Sequence, residues 1–111
     1  MSKIDRINSE LNKQIALIIN NELKHPAVNG IITVTVVDTS SDLSLSKVGV
    51  SVLDDNHDEV VKALNHSSGF IRKLLRNKVN IRNIPELTFY KDNNIEYAYK
   101  ISRLIDKINK E

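Results

Sequence analysis

The feature that most constrains the fold is a long helical pattern with an interruption in its middle. Between Asn56 and Lys78, apolar residues recur every three or four positions, as on the buried side of a helix. The interruption is Ser67-Ser68-Gly69. Glycine costs roughly 1 kcal/mol relative to alanine within a helix, and serine hydroxyls compete for backbone hydrogen bonds. The sequence therefore predicts one long helix that is kinked at these three residues.

A helical wheel divides this segment into an apolar side and a basic side. An exposed glycine flanked by arginines is typical of a phosphate-binding site, because arginine grips phosphate through two parallel donors. The alternative is a helix corner with a solvated basic face. The side opposite Gly69 carries the predicted core residues Val60, Ala63, Leu64, Ser67, Phe70, Ile71, Leu74 and Leu75. The side around Gly69 carries Lys62, Arg72, Lys73 and Arg76.

The N-terminal segment is predicted to form an amphipathic helix that ends near Leu23. Ser2 is followed three residues later by Asp5, a capping-box pattern for a helix start. Pro26 fits a stop, because proline cannot continue the hydrogen-bond ladder of a helix. Apolar residues recur at helical spacing at Ile4, Ile7, Leu11, Ile15, Ile18 and Leu23.

A first strand is predicted in IITVTVVDT, residues 31–39. Ile32, Val34 and Val36 alternate there with threonines, which predicts that these three residues share the buried face. The turn residues DTSSD and the strand-like LSLSKVGVSVL, residues 43–53, follow directly. So short a turn predicts an antiparallel hairpin.

Two more elements complete the order α-β-β-α-β-α. A third strand is predicted near Glu86 to Lys91, with Pro85 at its start, where no hydrogen-bond donor is missed. A last helix is predicted from Asn94 to about Asn109. Each strand shows one apolar alternation, so the pattern predicts an α+β fold in which a three-stranded sheet is covered on one face by the first and long helices.

Composition limits the function classes. The chain has 111 residues, of which 41% are hydrophobic, which predicts a single domain over residues 1–111. It has no cysteine, and no apolar run approaches the roughly 20 residues that span a bilayer. We expect a cytoplasmic monomer with no membrane contact. The net charge is only +2, yet Gly69 to Pro85 contain five basic residues and no acidic one: Arg72, Lys73, Arg76, Lys78 and Arg82.

Catalytic and metal chemistry lack support in the sequence. The three histidines are dispersed, and neither a phosphate-binding G-x-x-x-x-G-K loop nor a GxSxG elbow is present. We therefore expect no catalytic residue, no metal and no cofactor. The acidic residues that could suggest a metal site lie at a helix start, where they complement the helix dipole: Asp54, Asp55, Asp58 and Glu59.

The order of elements is that of a type II KH domain, and KH domains hold nucleic-acid backbone at a GXXG turn between two helices. The corresponding window here is His66-Ser67-Ser68-Gly69, which lacks the first glycine. The chain closely resembles the bacterial ribosome-binding factor A family, which is KH-like and replaces this turn by an interrupted helix marked Ala-x-Gly. Ser67-Ser68-Gly69 stand at that mark, with serine for alanine, and Phe70-Ile71-Arg72 match the aromatic-Ile-Arg that follows. SSDLSLSKVGVSVL and RNIPELTFYKD, residues 40–53 and 82–92, extend the resemblance along nearly the whole chain.

The resemblance implies a non-catalytic assembly factor of the small ribosomal subunit. It implies binding to the immature 30S subunit and its 16S rRNA near the 5′-terminal helix, help in late rRNA processing, importance in the cold, and release coupled to an assembly GTPase. Two alternatives stay open, a KH-like protein adaptor that does not bind RNA and a small enzyme that uses the acidic turn. The expected RNA-binding residues are Lys62, Ser67, Ser68, Gly69, Arg72, Lys73, Arg76, Lys78 and Arg82.

Overall fold

A computed structural model describes residues 2–23, 32–52 and 57–92. The predicted α+β order is confirmed within these ranges, and the last predicted helix, Asn94 to Asn109, lies outside them. The elements are α1 (Lys3–Asn21), β1 (Ile32–Thr39), β2 (Leu45–Val52), α2 (His57–His66), α3 (Ser68–Leu75) and β3 (Glu86–Lys91).

Helix α1 begins with the predicted capping box. The backbone N–H of Asp5 donates to the Ser2 hydroxyl at 3.1 Å, and the Ser2 N–H donates to the Asp5 carboxylate at 3.3 Å. These bonds pair two backbone donors that a helix start leaves without an intrahelical partner. Four residues of the predicted stripe are buried, Ile7, Leu11, Ile15 and Ile18, together with Ile19, which was not predicted. Ile4 and Leu23 of the stripe are partly buried.

The sheet has the strand order β1-β2-β3. Strands β1 and β2 are antiparallel, as the short turn predicted, with Ile32 opposite Val52 and Thr39 opposite Ser46. Strands β2 and β3 are parallel, with Val48 opposite Phe89. A parallel pair needs a long crossover, and α2 and α3 provide it. The polypeptide therefore returns along the covered face of the sheet before it enters β3.

The predicted alternation of β1 is wrong at one position because the strand contains a bulge. The pairing with β2 shifts between Val34 and Val36. An extra residue reverses the alternation beyond it, since successive side chains point to opposite faces. Val36 is therefore 38% exposed on the open face, and Val37 takes its place in the core.

A polar network shapes the β1–β2 turn. The Ser44 hydroxyl donates to the Asp42 carboxylate at 2.7 Å, and the Ser40 hydroxyl donates to it at 2.8 Å. These bonds lower the pKa of Asp42 below its ordinary value, and the bond from Ser44 has the larger effect. Leu43 adopts the left-handed conformation at φ 62° and is buried. Its carbonyl accepts a bond from the Asn83 amide at 3.3 Å, which ties the turn to the segment before β3.

The three helices of the described ranges pack on one face of the sheet, as predicted for the first and long helices. Helix α1 lies against β1, whereas α2 and α3 lie mainly against β3. The Asn65 side chain of α2 is bonded to both backbone groups of Phe89: its amide donates to the carbonyl at 3.0 Å and its oxygen accepts from the N–H at 2.8 Å. This side chain covers part of the edge of β3 that faces away from β2, and edge strands without such protection readily pair with other chains.

Candidate nucleic-acid interface

The predicted kink is a break of one residue between two helices. Ser67 has φ −92° and ψ 5°, and its backbone N–H is shared between the carbonyls of Ala63 at 2.9 Å and Leu64 at 3.1 Å. The second half is also shorter than predicted, since α3 ends at Leu75 and residues 76–78 form a turn.

Gly69 is exposed on α3, immediately after the break. A Cβ atom built at this position has no atom within 4 Å from the rest of the described protein beyond its own stretch of helix. No packing contact within the described part of the chain therefore requires glycine here, although glycine costs a helix roughly 1 kcal/mol relative to alanine. The bare backbone lets an external group approach α3 more closely than any side chain would allow.

The prediction that Phe70 belongs to the core is wrong. The wheel placed Phe70 on the buried side of a continuous helix, yet its side chain is 48% exposed. Ile71 and Leu75, nearer the centre of the predicted stripe, are buried as expected, whereas Phe70 lies at the margin of the stripe. An exposed aromatic ring thus lies directly beside Gly69, and exposed aromatic rings are the platforms on which RNA-binding domains stack bases.

The prediction that the Arg72 side chain faces solvent is also wrong. The wheel placed its side chain toward solvent, but the guanidinium Nε and Nη2 donate to the Ile84 carbonyl at 2.9 and 2.8 Å. Arg72 is half-buried and joins α3 to the segment that enters β3. Two of its donors are engaged within the protein, so its main interaction is structural.

The remaining expected residues divide between two places. Lys62, Lys73 and Arg76 are exposed on α2, on α3 and just after α3, and with Gly69 and Phe70 they form what we call the break surface. Ser67, at the break, and Ser68, the first residue of α3, are half-buried. Lys78 and Arg82 lie instead in a groove with Lys3 and Arg6 from the start of α1. Sequence reasoning missed Lys3 and Arg6, because only the fold brings residues so distant in the chain together.

The open face of the sheet has mixed charge. Asp38 and Glu86 are exposed there, and so is Lys47, which lies opposite Asp38. Burial raises the pKa of Tyr90, and the negative charges of Asp92 and Asp38 raise it further. Negative charge beside Tyr90 disfavours phosphate near that residue. The exposed glycine and cations on the helical side make that side the candidate interface.

The described ranges contain no group of three His, Asp or Glu side chains placed to hold a metal ion. In the same ranges, no helix is long and apolar enough to cross a membrane.

One sheet contains an antiparallel strand pair and a parallel strand pair, and two helices connect the strands of the parallel pair. A glycine lies near the junction of these two helices. This arrangement defines a KH-like domain. Residues 3–105 match the family Ribosome-binding factor A. The ribosome-binding factor A of Clostridium perfringens strain SM101 is 39% identical over 109 residues, which cover 96% of this chain and 94% of that protein. The Staphylococcus epidermidis protein of the same name is 40% identical over 110 residues, covering 97% and 94%. The chain belongs to the ribosome-binding factor A family.

Solved structures share the fold. The crystal structure of ribosome-binding factor A from Thermus thermophilus has a TM-score of 0.72 at 24% identity, covering 79% of this chain and 93% of that one. A model of the Thermus thermophilus protein, fitted into a cryo-EM map of a 30S complex, has a TM-score of 0.66 at 24% identity, with 78% and 91% covered.

Proposed function

We propose that this protein binds the immature 30S ribosomal subunit and grips the 16S rRNA backbone at the break surface. One observation carries the proposal: the bare backbone at Gly69 is exposed, makes no packing contact in the described part of the chain, and is followed by the exposed Phe70 and cationic side chains. Phosphate would lie against the start of α3, held by Lys73 and Arg76, while Phe70 stacks on an unpaired base. Family membership supports this ligand, since the Thermus thermophilus relative has been fitted into a 30S complex.

The finer role follows from the family resemblance and is part of the proposal. The 111 residues act as one cytoplasmic, monomeric and non-catalytic unit. It binds near the 5′-terminal rRNA helix, assists late processing of 16S rRNA, and is released with the help of an assembly GTPase. RNA misfolds are escaped more slowly as temperature falls, so the requirement is greatest in the cold.

A salt titration tests the binding step. Purified protein is titrated against isolated immature small subunits at several salt concentrations, and the Lys73→Gln/Arg76→Gln variant is compared with the parent. Because each phosphate contact on a single strand contributes roughly 0.7 to the slope of log affinity against log salt, losing two should lower the slope by about 1.4. Lys13→Gln/Lys47→Gln is the matched control, since both lysines are exposed and belong to other elements, α1 and β2.

Binding that is independent of salt and equal in the three proteins would instead support the adaptor that does not bind RNA. The cellular role is tested by deleting the gene and measuring precursor 16S rRNA and free subunits at low and at ordinary growth temperature. Normal rRNA maturation in the cold would contradict the assembly role.

A further inference from the structure

A second group of basic residues lies beyond the C-terminal end of α3, whereas the break surface lies at its start. The start of α1, the β1–β2 turn and residues 78–82 enclose an open groove of about 790 Å³. This volume is within the roughly 300–1,000 Å³ typical of ligand sites. The apolar part of its lining consists of the partly exposed Ile4 and Ile81 and the mostly buried Ile7, Leu43 and Val79. The fold alone creates this feature, because its walls come from three separate parts of the chain.

The charges around the groove are mostly positive. Lys3, Arg6 and Arg82 are exposed at the groove, and within the described ranges none of them forms an ion pair. Lys78 also lines it, but its ammonium group lies 3.3 Å from the Glu22 carboxylate and is partly neutralised. Glu10 is the acidic member of the lining. Three such cations against one carboxylate leave the groove with a positive potential.

The chemistry of the lining matches a nucleic-acid strand better than a small anion or an apolar peptide. A small anion is held by converging buried donors, whereas these cations are exposed along the groove. An apolar peptide would not need them. A strand presents phosphates to cations and its riboses and bases to an apolar floor, and Ser41 and Asn80 add uncharged hydrogen-bonding groups.

The break surface and this groove are close along the chain. Helix α3 has eight residues, so its axis is about 12 Å long at roughly 1.5 Å per residue. Gly69 lies near its start, and the turn after Leu75 leads directly into residues 78–82. The helix length thus corresponds to about three or four nucleotides at roughly 3.4 Å per stacked nucleotide.

We propose that this groove is a second contact for single-stranded RNA, in which Lys3, Arg6 and Arg82 hold phosphates of the strand whose neighbouring nucleotides contact the break surface. The inference rests on the proposed function, because it assigns a second site on the same ligand. Two contacts joined by a short strand raise the affinity well above that of either one, since the second binding event becomes intramolecular.

The test compares three charge-matched variants in the same salt titration with immature small subunits. Arg6→Gln/Arg82→Gln removes two groove cations, Lys73→Gln/Arg76→Gln removes two from the break surface, and Lys13→Gln/Lys47→Gln is the control. The groove variant should bind roughly tenfold or more weakly at about 0.1 M salt, with a slope lowered by about 1.4. Thermal melts should be unchanged, because all the substituted side chains lie at exposed positions.

A crosslinking measurement reports the partner directly. The chain has no cysteine, so Asn80→Cys provides a single attachment point in the groove for a photoreactive group, and Lys13→Cys provides one outside it. The Asn80 position should crosslink to 16S rRNA more efficiently than the Lys13 position. Crosslinks confined to ribosomal proteins would overturn the RNA assignment.

The outcomes separate the inference from the proposed function. If only the break-surface variant loses affinity and slope, the groove inference is wrong and the proposed function stands. If the groove variant loses affinity with an unchanged salt slope, the groove holds something other than phosphate and the inference is again wrong. If the parent does not bind small subunits, both fail together.

Discussion

Two glycines in this protein have opposite surroundings. A Cβ atom built on Gly49, in the middle strand, would lie 2.9 Å from Val36 Cγ1, 3.0 Å from Thr35 Oγ1 and 3.1 Å from Tyr90 Cζ. A Cβ atom built on Gly69, beside the helix break, meets nothing within 4 Å. In the sheet, glycine at position 49 leaves room for neighbouring side chains. In α3, no neighbouring side chain within the described ranges takes up the space that Gly69 leaves.

The difference separates residues that maintain the fold from residues that are available to a ligand. The close packing of neighbouring side chains explains why position 49 is glycine. Gly69 weakens a helix without any compensation in the described structure, which points to something that approaches from outside. The same division applies along α3, where Arg72 bonds to the Ile84 carbonyl and Phe70 remains exposed.

The largest expected effect is at Arg72. Arg72→Glu removes two bonds from a charged donor and sets a carboxylate near the Ile84 carbonyl, so we expect a loss of roughly 3 kcal/mol in unfolding free energy. Arg76→Glu, at an exposed position four residues later, should change it by less than about 0.5 kcal/mol. Urea denaturation followed by circular dichroism measures both. Equal stability of the two variants would mean that the Arg72 contact contributes little.

Gly49→Ala should be the next most damaging change. The new methyl group would press on β-branched side chains that cannot easily move aside, and overpacking of this kind costs roughly 1–3 kcal/mol. Binding to small subunits should be unchanged where the variant is folded. Chemical denaturation measures the stability and subunit co-sedimentation measures the binding, and Ser51→Ala on the same strand is the control. A stability equal to that of the parent would show that the neighbours relax freely.

Gly69→Ala should give the reverse result. Alanine fits the open space and favours the helix, so the unfolding free energy should rise by up to about 1 kcal/mol. Binding to small subunits should nevertheless weaken, because the methyl group keeps the RNA backbone at a greater distance. Ser9→Ala, on the exposed surface of α1, controls for a gain in helix propensity alone. Unimpaired binding by the stabilised Gly69 variant would remove the main support for the break surface.

The smallest effect concerns pH and the β1–β2 turn. The pKa of Asp42 is lowered in the fold, so its contribution to stability is present above the ordinary aspartate value of roughly 3.9 and is lost as pH falls through the lowered value. Parent and Asp42→Asn should therefore differ in melting temperature near neutral pH and converge in acid. Melts from neutral pH down to about pH 2 measure this, and a constant difference would contradict it.

Much of the fold could be predicted from local patterns. The capping box of α1, the hairpin and the limits of β3 each depend on neighbouring residues, whose spacing reports which side of an element is buried. The same reasoning failed at Val36 and Phe70. In β1 a bulge reversed the alternation, so a fixed period assigned the later side chains to the wrong face. In α3 the period held for Ile71 and Leu75, and Phe70, at the margin of the apolar stripe, was assigned to the wrong side.

By itself the sequence determined the order and type of the described elements, the position of the helix interruption and the family. The tertiary structure decided which basic residues are available. Arg72 is engaged by the Ile84 carbonyl, Lys78 is paired with Glu22, and Lys3 and Arg6 join Arg82 although they are far from it in the chain. The physical reason is that the state of a charged side chain depends on partners that are near in space. Periodicity describes only neighbours along the chain, so it identifies a basic face but not the partners of each cation.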